Sequence, residues 1–172
     1  MGSLRDSSAP LTDAGRTQIR KAESRDLPAI VDINRKSFVL PYTVSVFREF
    51  FREHRYAFLV AECDGRIAGY AMSRILRKLD LRGLGVKRIG HIMSLAVEPG
   101  FRRRGIGRDL LDRTMEALWG NGASELQLEV RVSNQLAIEM YSNAGFKQER
   151  VIPGYYSDGE DAVLMTKGRP EQ

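Results

Sequence analysis

Cysteine, histidine and tryptophan are scarce in this chain of 172 residues, which holds one Cys, two His and one Trp. A single cysteine, Cys63, excludes an internal disulfide, and its place in the apolar run of residues 58–63 predicts a buried strand residue rather than a nucleophile. With only Cys63, His54 and His91 available, metal-ligand spacing is missing, so we expect no metal site. These features favour a reducing, cytoplasmic setting.

Long apolar runs are missing as well. No stretch approaches the roughly 18 apolar residues of a membrane span, and the N-terminus carries no apolar signal segment. Gly2 invites comparison with a myristoylation motif, but Asp6 stands where Ser or Thr is required. We therefore expect neither a membrane span nor a lipid anchor.

The charge is unbalanced toward the basic side, with a formal net charge of +5 and an isoelectric point of about 9.6. Such a chain attracts anions. The basic residues are spread along the sequence, however, and no zinc-finger, homeodomain or aromatic RNP pattern accompanies them. We therefore expect no dedicated nucleic-acid-binding role. The length and a 42% hydrophobic composition fit one globular domain with a full core.

Hydrophobic periodicity predicts an α/β domain over residues 18–168, preceded by a disordered tail at residues 1–17. An Asp-Gly turn predicts a hairpin between the second and third strands, and the basic residues 77–88 predict a mobile loop. The predicted order is βααβββαβαββ. The predicted helices are one capped by Asp26, one at 44–55, one at 105–120 and one capped by Asn134. The predicted strands are one near Ile19 and those at 56–63, 66–75, 89–97, 125–131, 146–152 and 161–167.

The most informative stretch is residues 102–108, with the sequence RRRGIGR, between an apolar strand and an amphipathic helix. Glycines at such a turn let backbone N–H groups approach an anion, and the helix N-terminus adds its positive dipole end. Arginines supply permanent charge and forked donors suited to phosphate. The spacing matches neither a P-loop nor a dinucleotide fingerprint. A pyrophosphate cradle is one interpretation, and a solvated basic loop is the other.

Four ordered blocks carry a family resemblance. The Arg-x-x-Gly-x-Gly spacing that starts at Arg102 is similar to the signature with which GCN5-related N-acetyltransferases (GNAT) bind the pyrophosphate of acetyl-coenzyme A. Residues 128–134, 137–146 and 154–162 follow as in one branch, the protein N-terminal (Nα) acetyltransferases, which includes the RimI-type ribosomal-protein alanine acetyltransferases and their archaeal relatives. The resemblance covers residues 18–167.

The resemblance implies a GNAT fold, a mixed central sheet of about six to seven strands flanked by about four helices. It also implies an acetyl-coenzyme A-dependent enzyme that acetylates the N-termini of proteins or nascent peptides, ribosomal proteins among them. Two other functions stay open. One is the same transfer to lysine side chains, polyamines or another small amine, and the other is a non-catalytic acetyl-coenzyme A sensor or ribosome-associated adaptor. We expect a monomer.

The implied chemistry is the attack of a free amine on the acetyl thioester. Strand alternation places Glu129 opposite the neighbouring leucines, and its motif position matches the general base of RimI-type enzymes. Tyr141 matches the tyrosine that contacts coenzyme A and protonates the thiolate, although its apolar helix face also fits core packing. His91 matches a position where relatives carry a His or Tyr that orders a deprotonating water, and a purely structural histidine is equally open.

The resemblance further implies where the two substrates bind. The backbone of residues 95–97 would hold the pantetheine arm like an added strand. The acceptor is expected between the loop segment FVLPY, residues 38–42, and a tyrosine pair; aromatic packing is the alternative for that pair. Some relatives carry a glutamate in this loop that favours small first residues; its absence here favours tolerance of larger ones. The expected cofactor contacts are Leu95, Ala96, Val97, Arg103, Arg104, Gly105, Ile106, Gly107, Arg108, Asn134 and Tyr141, and the expected acceptor contacts are Phe38, Leu40, Tyr42, Tyr155 and Tyr156.

Overall fold

A computed structural model describes residues 17–80 and 85–170 of the chain. Within them, seven strands form one sheet in the order β1-β2-β3-β4-β5-β7-β6, accompanied by four α-helices. The elements are β1 (Thr17–Lys21), α1 (Leu27–Ser37), α2 (Val44–Glu53), β2 (Phe58–Cys63), β3 (Arg66–Asp80), β4 (Gly85–Val97), α3 (Ile106–Gly120), β5 (Glu125–Arg131), α4 (Gln135–Asn143), β6 (Lys147–Ile152) and β7 (Ala162–Gly168). The predicted class and element order are confirmed. The predicted tail lies outside the described residues except for Thr17, which begins β1.

The sheet splits between β4 and β5. These two strands run parallel and pair only from Ile89 with Glu125 to Ile92 with Leu128, whereas the other neighbouring strands are antiparallel. A bulge follows at once in β4, where Met93 is the extra residue against β3. Beyond it, residues 93–97 have no partner on the β5 side in the described part of the chain. The split therefore leaves an edge of β4 free to bind an extended ligand.

Helices cover both faces of the sheet because side chains alternate along the strands. In β2, Phe58 and Val60 join the buried cluster of α1 and α2, whereas Leu59 and Ala61 join a cluster with α3. A third cluster packs α3 and α4 against β5 and β7. Among the described residues, no helix is long and apolar enough to cross a membrane. Both faces of β2 are thus buried, whereas β5 on the other side of the split alternates buried and partly exposed residues.

The expectation of a mobile loop at residues 77–88 is wrong wherever the structure describes this segment. Strands β3 and β4 continue as a two-stranded ribbon with register pairs that include Arg77 with Arg88. Like charges placed opposite each other destabilise a strand pair, so the charge of Arg88 needs partners outside the ribbon. Here Arg88 instead donates to the backbone carbonyls of Asn121 and Gly122. Residues 81–84 lie outside the described residues.

Two predicted helix caps differ in outcome. Asp26 precedes α1 but does not cap it, because its carboxylate accepts hydrogen bonds from the backbone N–H of Glu23 at 2.8 Å and from Arg20 at 2.7 and 2.9 Å. Asp26 thereby ties β1 to the start of α1. Asn134 caps α4 as predicted, since its side-chain oxygen accepts from the backbone N–H of Ala137 at 3.3 Å.

Candidate active site

A carboxylate held by two side chains lies at the point where β4 and β5 part. Oε2 of Glu129 lies 2.6 Å from Nε2 of His91, and Oε1 of Glu129 accepts a hydrogen bond of 2.9 Å from Nε2 of Gln127. The side chains of Glu129 and His91 are only 10% and 12% exposed. His91 is the register partner of Gln127, so the strand pairing itself brings the three side chains to one face. Sequence reasoning proposed Glu129 and His91 separately, and it missed Gln127.

The surroundings of Glu129 keep it ionised. Burial would raise the pKa of Glu129, but the hydrogen bond and charge of His91, together with hydrogen bonds from Gln127 and Tyr155, hold this pKa below its ordinary value. Glu129 can therefore accept a proton at neutral pH. The other ring nitrogen of His91, Nδ1, is buried and has no hydrogen-bond partner among the described residues.

Three tyrosines surround Glu129. Tyr155 lies close enough to its carboxylate to help lower the pKa of Glu129, and the hydroxyl of Tyr156 donates to its backbone carbonyl at 3.5 Å. Tyr42 is close enough that the charge of Glu129 adds to burial in raising the pKa of Tyr42. Burial also raises the pKa of Tyr155 and of Tyr156 to about 12, so both hydroxyls remain donors at neutral pH. The expected acceptor tyrosines thus lie around the expected base.

The turn between β6 and β7 is braced by Arg131. Its guanidinium pairs with Asp158 at 2.9 Å and with Glu160, and it lies over the ring of Tyr156, 4.0 Å from the centroid. The rings of Tyr155 and Tyr156 meet edge to face, with centroids 5.1 Å apart. These contacts give the tyrosine pair a fixed orientation on one side of the site.

The segment between α1 and α2, which reaches the site through Tyr42, is attached to the sheet by a buried network. The side-chain amide of Asn34 donates to the backbone carbonyl of Tyr42 at 3.0 Å. The hydroxyl of Tyr70 in β3 donates to Oδ1 of Asn34 at 3.1 Å and lies 2.8 Å from the hydroxyl of Ser94 in β4. No sequence signal identified this network, because a tyrosine in an apolar strand resembles ordinary core.

The other two expected acceptor residues are less closely tied to the site. Phe38 and Leu40 are 37% and 53% exposed, in the same segment as Tyr42. Within the described residues, no ring contact, hydrogen bond or electrostatic effect joins them to Glu129, as one does for Tyr42. They form an exposed apolar surface beside the site.

Tyr141 is both a core residue and a neighbour of the site. It is 8% exposed, packs in the α3–α4 cluster, and its ring meets that of Phe146 edge to face at 5.9 Å. Burial, with a smaller contribution from Tyr156, raises the pKa of Tyr141 to about 12. Its hydroxyl is therefore protonated at neutral pH and available as a proton donor. Both sequence interpretations, packing and proton donation, fit this placement.

The turn before α3 presents backbone donors. Gly105 occupies the N-cap of α3 in left-handed backbone, with φ of +81°, and Arg103 has φ of +63°. The carbonyl of Gly105 already accepts from the N–H groups of Arg108 and Asp109. Ile106 and Gly107, in the first turn, have no intrahelical acceptor for their N–H groups. The space around Gly105 is open, so a bound anion can approach these donors.

The arginines of this turn have different roles. Arg103 and Arg104 are exposed, and the guanidinium of Arg104 lies 5.3 Å from the ring centroid of Phe101. Nε of Arg108 donates to both carboxylate oxygens of Asp112 at 3.0 and 2.9 Å, which leaves its two terminal nitrogens as further donors. The expected cradle would therefore combine backbone N–H groups with these arginines. Such a donor set fits a pyrophosphate.

Three of the remaining expected cofactor residues lie along the free edge of β4, and Asn134 lies at the start of α4. A side chain at Gly107 would contact Val97 and Met140 at 3.6 Å, so the cradle adjoins both the end of β4 and α4. Leu95, Ala96 and Val97 follow the bulge at Met93, where β4 has left β5. Asn134 uses its side-chain oxygen to cap α4, which leaves its amide N–H groups for a ligand.

Comparison with known proteins gives one consistent result. The profile of the acetyltransferase (GNAT) family matches residues 27–146. The N-alpha-acetyltransferase of Sulfurisphaera tokodaii is 43% identical over 152 residues, which cover 86% of this chain and 90% of that protein. The ribosomal protein bS18-alanine N-acetyltransferase of Escherichia coli is 32% identical over 150 residues, covering 86% of this chain and 94% of that protein.

A solved structure agrees with these relatives. Ard1 from Thermoplasma volcanium superimposes with a TM-score of 0.80 at 26% identity, covering 90% of this chain and 99% of that one. The match of the family profile spans more than half of the chain, and the relatives cover most of it. The chain belongs to the acetyltransferase (GNAT) family.

Proposed function

We propose that this protein transfers the acetyl group of acetyl-coenzyme A to the free α-amino group of protein N-termini. The observation that carries the proposal is the buried, ionised Glu129, held by His91 and Gln127 where the sheet splits and surrounded by three tyrosines. The relatives named for N-alpha and ribosomal-protein alanine acetylation support this class of acceptor.

The donor binds on the side of α3. The N–H groups of Ile106 and Gly107, with Arg103 and Arg104, hold the pyrophosphate. The pantetheine arm hydrogen-bonds along the free edge of β4 at residues 95–97 and so reaches the split in the sheet. The adenine nucleotide thus serves as an anchor, and the thioester reaches the residues that act on it.

The acceptor amine attacks the thioester carbonyl carbon, a C–N bond forms, and the C–S bond breaks. Glu129 takes the proton from the amine nitrogen, and Tyr141 donates a proton to the leaving thiolate. His91 holds Glu129 in place through Nε2, while its other ring nitrogen, Nδ1, is buried without a hydrogen-bond partner among the described residues. Tyr42, Tyr155 and Tyr156 contact the backbone of the first acceptor residues.

The strength of the base suits an α-amine better than a lysine. At pH 7 a terminal amine of pKa about 8 is roughly 10% neutral, whereas a lysine of pKa about 10.4 is roughly 0.04% neutral. Deprotonation therefore costs about 1.4 kcal/mol for the α-amine and about 4.6 kcal/mol for the lysine. A carboxylate whose pKa lies below its ordinary value is sufficient for the first and poorly matched to the second.

We also propose which acceptors the enzyme prefers and where in the cell it acts. The exposed apolar segment at residues 38–40 lacks a glutamate, which favours acceptors with large first residues as well as small ones. Ribosomal proteins are among the acceptors. The enzyme acts as a monomer in the cytoplasm, where a chain with one cysteine has no need of a disulfide.

The test uses a peptide that carries both a free α-amine and one lysine, and a twin whose α-amine is blocked. Mass spectrometry after incubation with acetyl-coenzyme A is expected to find the acetyl group on the α-amine of the first peptide and none on the twin. Acetylation of the lysine in the twin would favour the alternative amine acceptor. Thermal stabilisation of the protein by acetyl-coenzyme A, with no coenzyme A released in the presence of any peptide, would favour the non-catalytic sensor. A panel varied at the first residue then measures the preference.

A further inference from the structure

Gln127 and His91 bind opposite oxygens of one carboxylate. The amide Nε2 of Gln127 donates to Oε1 of Glu129 at 2.9 Å, while Nε2 of His91 lies 2.6 Å from Oε2. One partner comes from β4 and the other from β5, two residues before Glu129. Each oxygen of the carboxylate therefore has its own side-chain partner.

The strands leave Gln127 little freedom to move away. Its register partners are His91 on β4 and Thr166 on β7, so its backbone is paired on both sides in the middle of the sheet. Side chains two residues apart on a strand share a face, which directs Gln127 along the surface that bears Glu129. The pairing of β5 with both neighbouring strands thus fixes the contact between Gln127 and Glu129.

The charges on this face explain why the residue between two carboxylates is neutral. Glu125, Gln127 and Glu129 lie on one face of β5, and Glu125 is neutralised by Lys87 at 2.6 Å. A third carboxylate at position 127 would repel both neighbours. An amide supplies the hydrogen-bond donor that Oε1 needs without adding charge.

We propose that Gln127 is a positioning residue for acetyl transfer, whose amide holds Oε1 of Glu129 so that Oε2 stays aligned with His91 and with the incoming amine. The proposal rests on the proposed role of Glu129 as base. The other groups that face Glu129 are His91 from β4, Tyr155 and Tyr156 from the β6–β7 turn, and Tyr42 from the α1–α2 segment.

The test compares Gln127→Leu and Gln127→Glu with the control Glu125→Gln, which alters the same face of β5 without touching Glu129. The pKa of Glu129 is measured by carboxyl ¹³C NMR, with its resonance identified in Glu129→Gln, and kcat is measured in parallel. Both Gln127 variants are expected to raise the pKa of Glu129 by about one unit or more, Gln127→Glu more strongly because it adds a like charge. They are also expected to lower kcat roughly 10- to 100-fold. The KM for acetyl-coenzyme A and the control are expected to stay near wild type.

The outcomes separate this proposal from the one on which it rests. An unchanged pKa and a wild-type kcat in both variants, above all in Gln127→Glu with its nearly equal volume, would overturn the positioning role and leave Glu129 as base. A raised pKa with wild-type kcat would overturn the positioning role alone, because a carboxylate whose pKa rises by about one unit from below 4.5 is still ionised at neutral pH and can still take the proton. The role of Glu129 as base fails separately, if Glu129→Gln with intact folding turns over like wild type.

Discussion

At the scale of single residues, the site combines a side chain that stays ionised with one that stays protonated. Hydrogen bonds keep Glu129 ionised despite its burial, whereas burial keeps the hydroxyl of Tyr141 protonated. A carboxylate that can accept a proton and a hydroxyl that can donate one are therefore both present at neutral pH. Tyr156 lies near both, since the charge of Glu129 helps to raise the pKa of Tyr156 and Tyr156 in turn helps to raise the pKa of Tyr141.

Tyr141→Phe is expected to keep the fold and to lower kcat about 10²-fold or more, because the ring still packs but the thiolate loses its proton donor. Steady-state kinetics and a thermal unfolding curve check both parts. The control is Tyr56→Phe. In the wild type, the hydroxyl of Tyr56 accepts a hydrogen bond from the backbone N–H of Ile75 at 2.9 Å, so its loss is expected to lower stability and leave kcat unchanged. Full turnover in Tyr141→Phe would leave this residue with a packing role only.

At the scale of elements, the donor site depends on the backbone of one turn and the acceptor site on the position of one segment. Gly105 places the N-terminus of α3 in left-handed backbone that a side chain with a Cβ adopts only with strain. The Asn34–Tyr70–Ser94 network similarly fixes the segment that carries Tyr42. Neither element contains the proposed base, so each can be altered separately from the chemistry.

Gly105→Val is expected to raise the KM for acetyl-coenzyme A several-fold more than the KM for the peptide, because the strained turn no longer aims its N–H groups. Gly65→Val is a matched control. Gly65 also has a positive φ, +74°, and open surroundings, but it lies in the β2–β3 turn. Calorimetric titration with acetyl-coenzyme A gives the affinity directly. A larger loss in peptide KM than in acetyl-coenzyme A KM would argue against the cradle.

Asp26→Asn is expected to destabilise the fold by about 1–3 kcal/mol, since Arg20 keeps its charge but loses its best-placed partner. The control Asp32→Asn breaks an exposed pair with Lys36 and is expected to cost less than about 1 kcal/mol. Chemical denaturation measures both values. Equal losses of unfolding free energy in the two variants would show that burial of the Asp26 ion pair adds nothing to stability.

The contribution of Asp26 also has a defined pH dependence. Burial alone would raise the pKa of Asp26, but the hydrogen bonds and charge of Arg20 hold it below its ordinary value of 3.8. Its stabilisation is therefore complete above that value and is lost as the pH falls through the lower pKa of the folded state. The stability difference between wild type and Asp26→Asn should be constant near neutral pH and shrink in acid. A difference that grows in acid would contradict this assignment.

At the scale of the whole molecule, the sequence predicted the elements better than the contacts between them. Strand β5 was predicted with its observed limits, because its alternation of leucines and polar residues is unambiguous. The strand pairing of residues 77–80 with 85–88 was missed, since its like-charged pairs are compensated by partners distant in sequence. Gln127 could have been noticed, because it shares a face with Glu129 by simple alternation. The Tyr70 network could not, because it depends on three-dimensional contacts.

The central claim is that Glu129 removes the proton from the N-terminal amine, and the most direct measurement is the kcat of Glu129→Gln on a peptide with a free α-amine. We expect kcat to fall about 10²- to 10⁴-fold while acetyl-coenzyme A affinity, measured by calorimetry, stays unchanged, because an amide fills the same space but cannot accept the proton. A wild-type kcat in Glu129→Gln with intact folding would contradict the account.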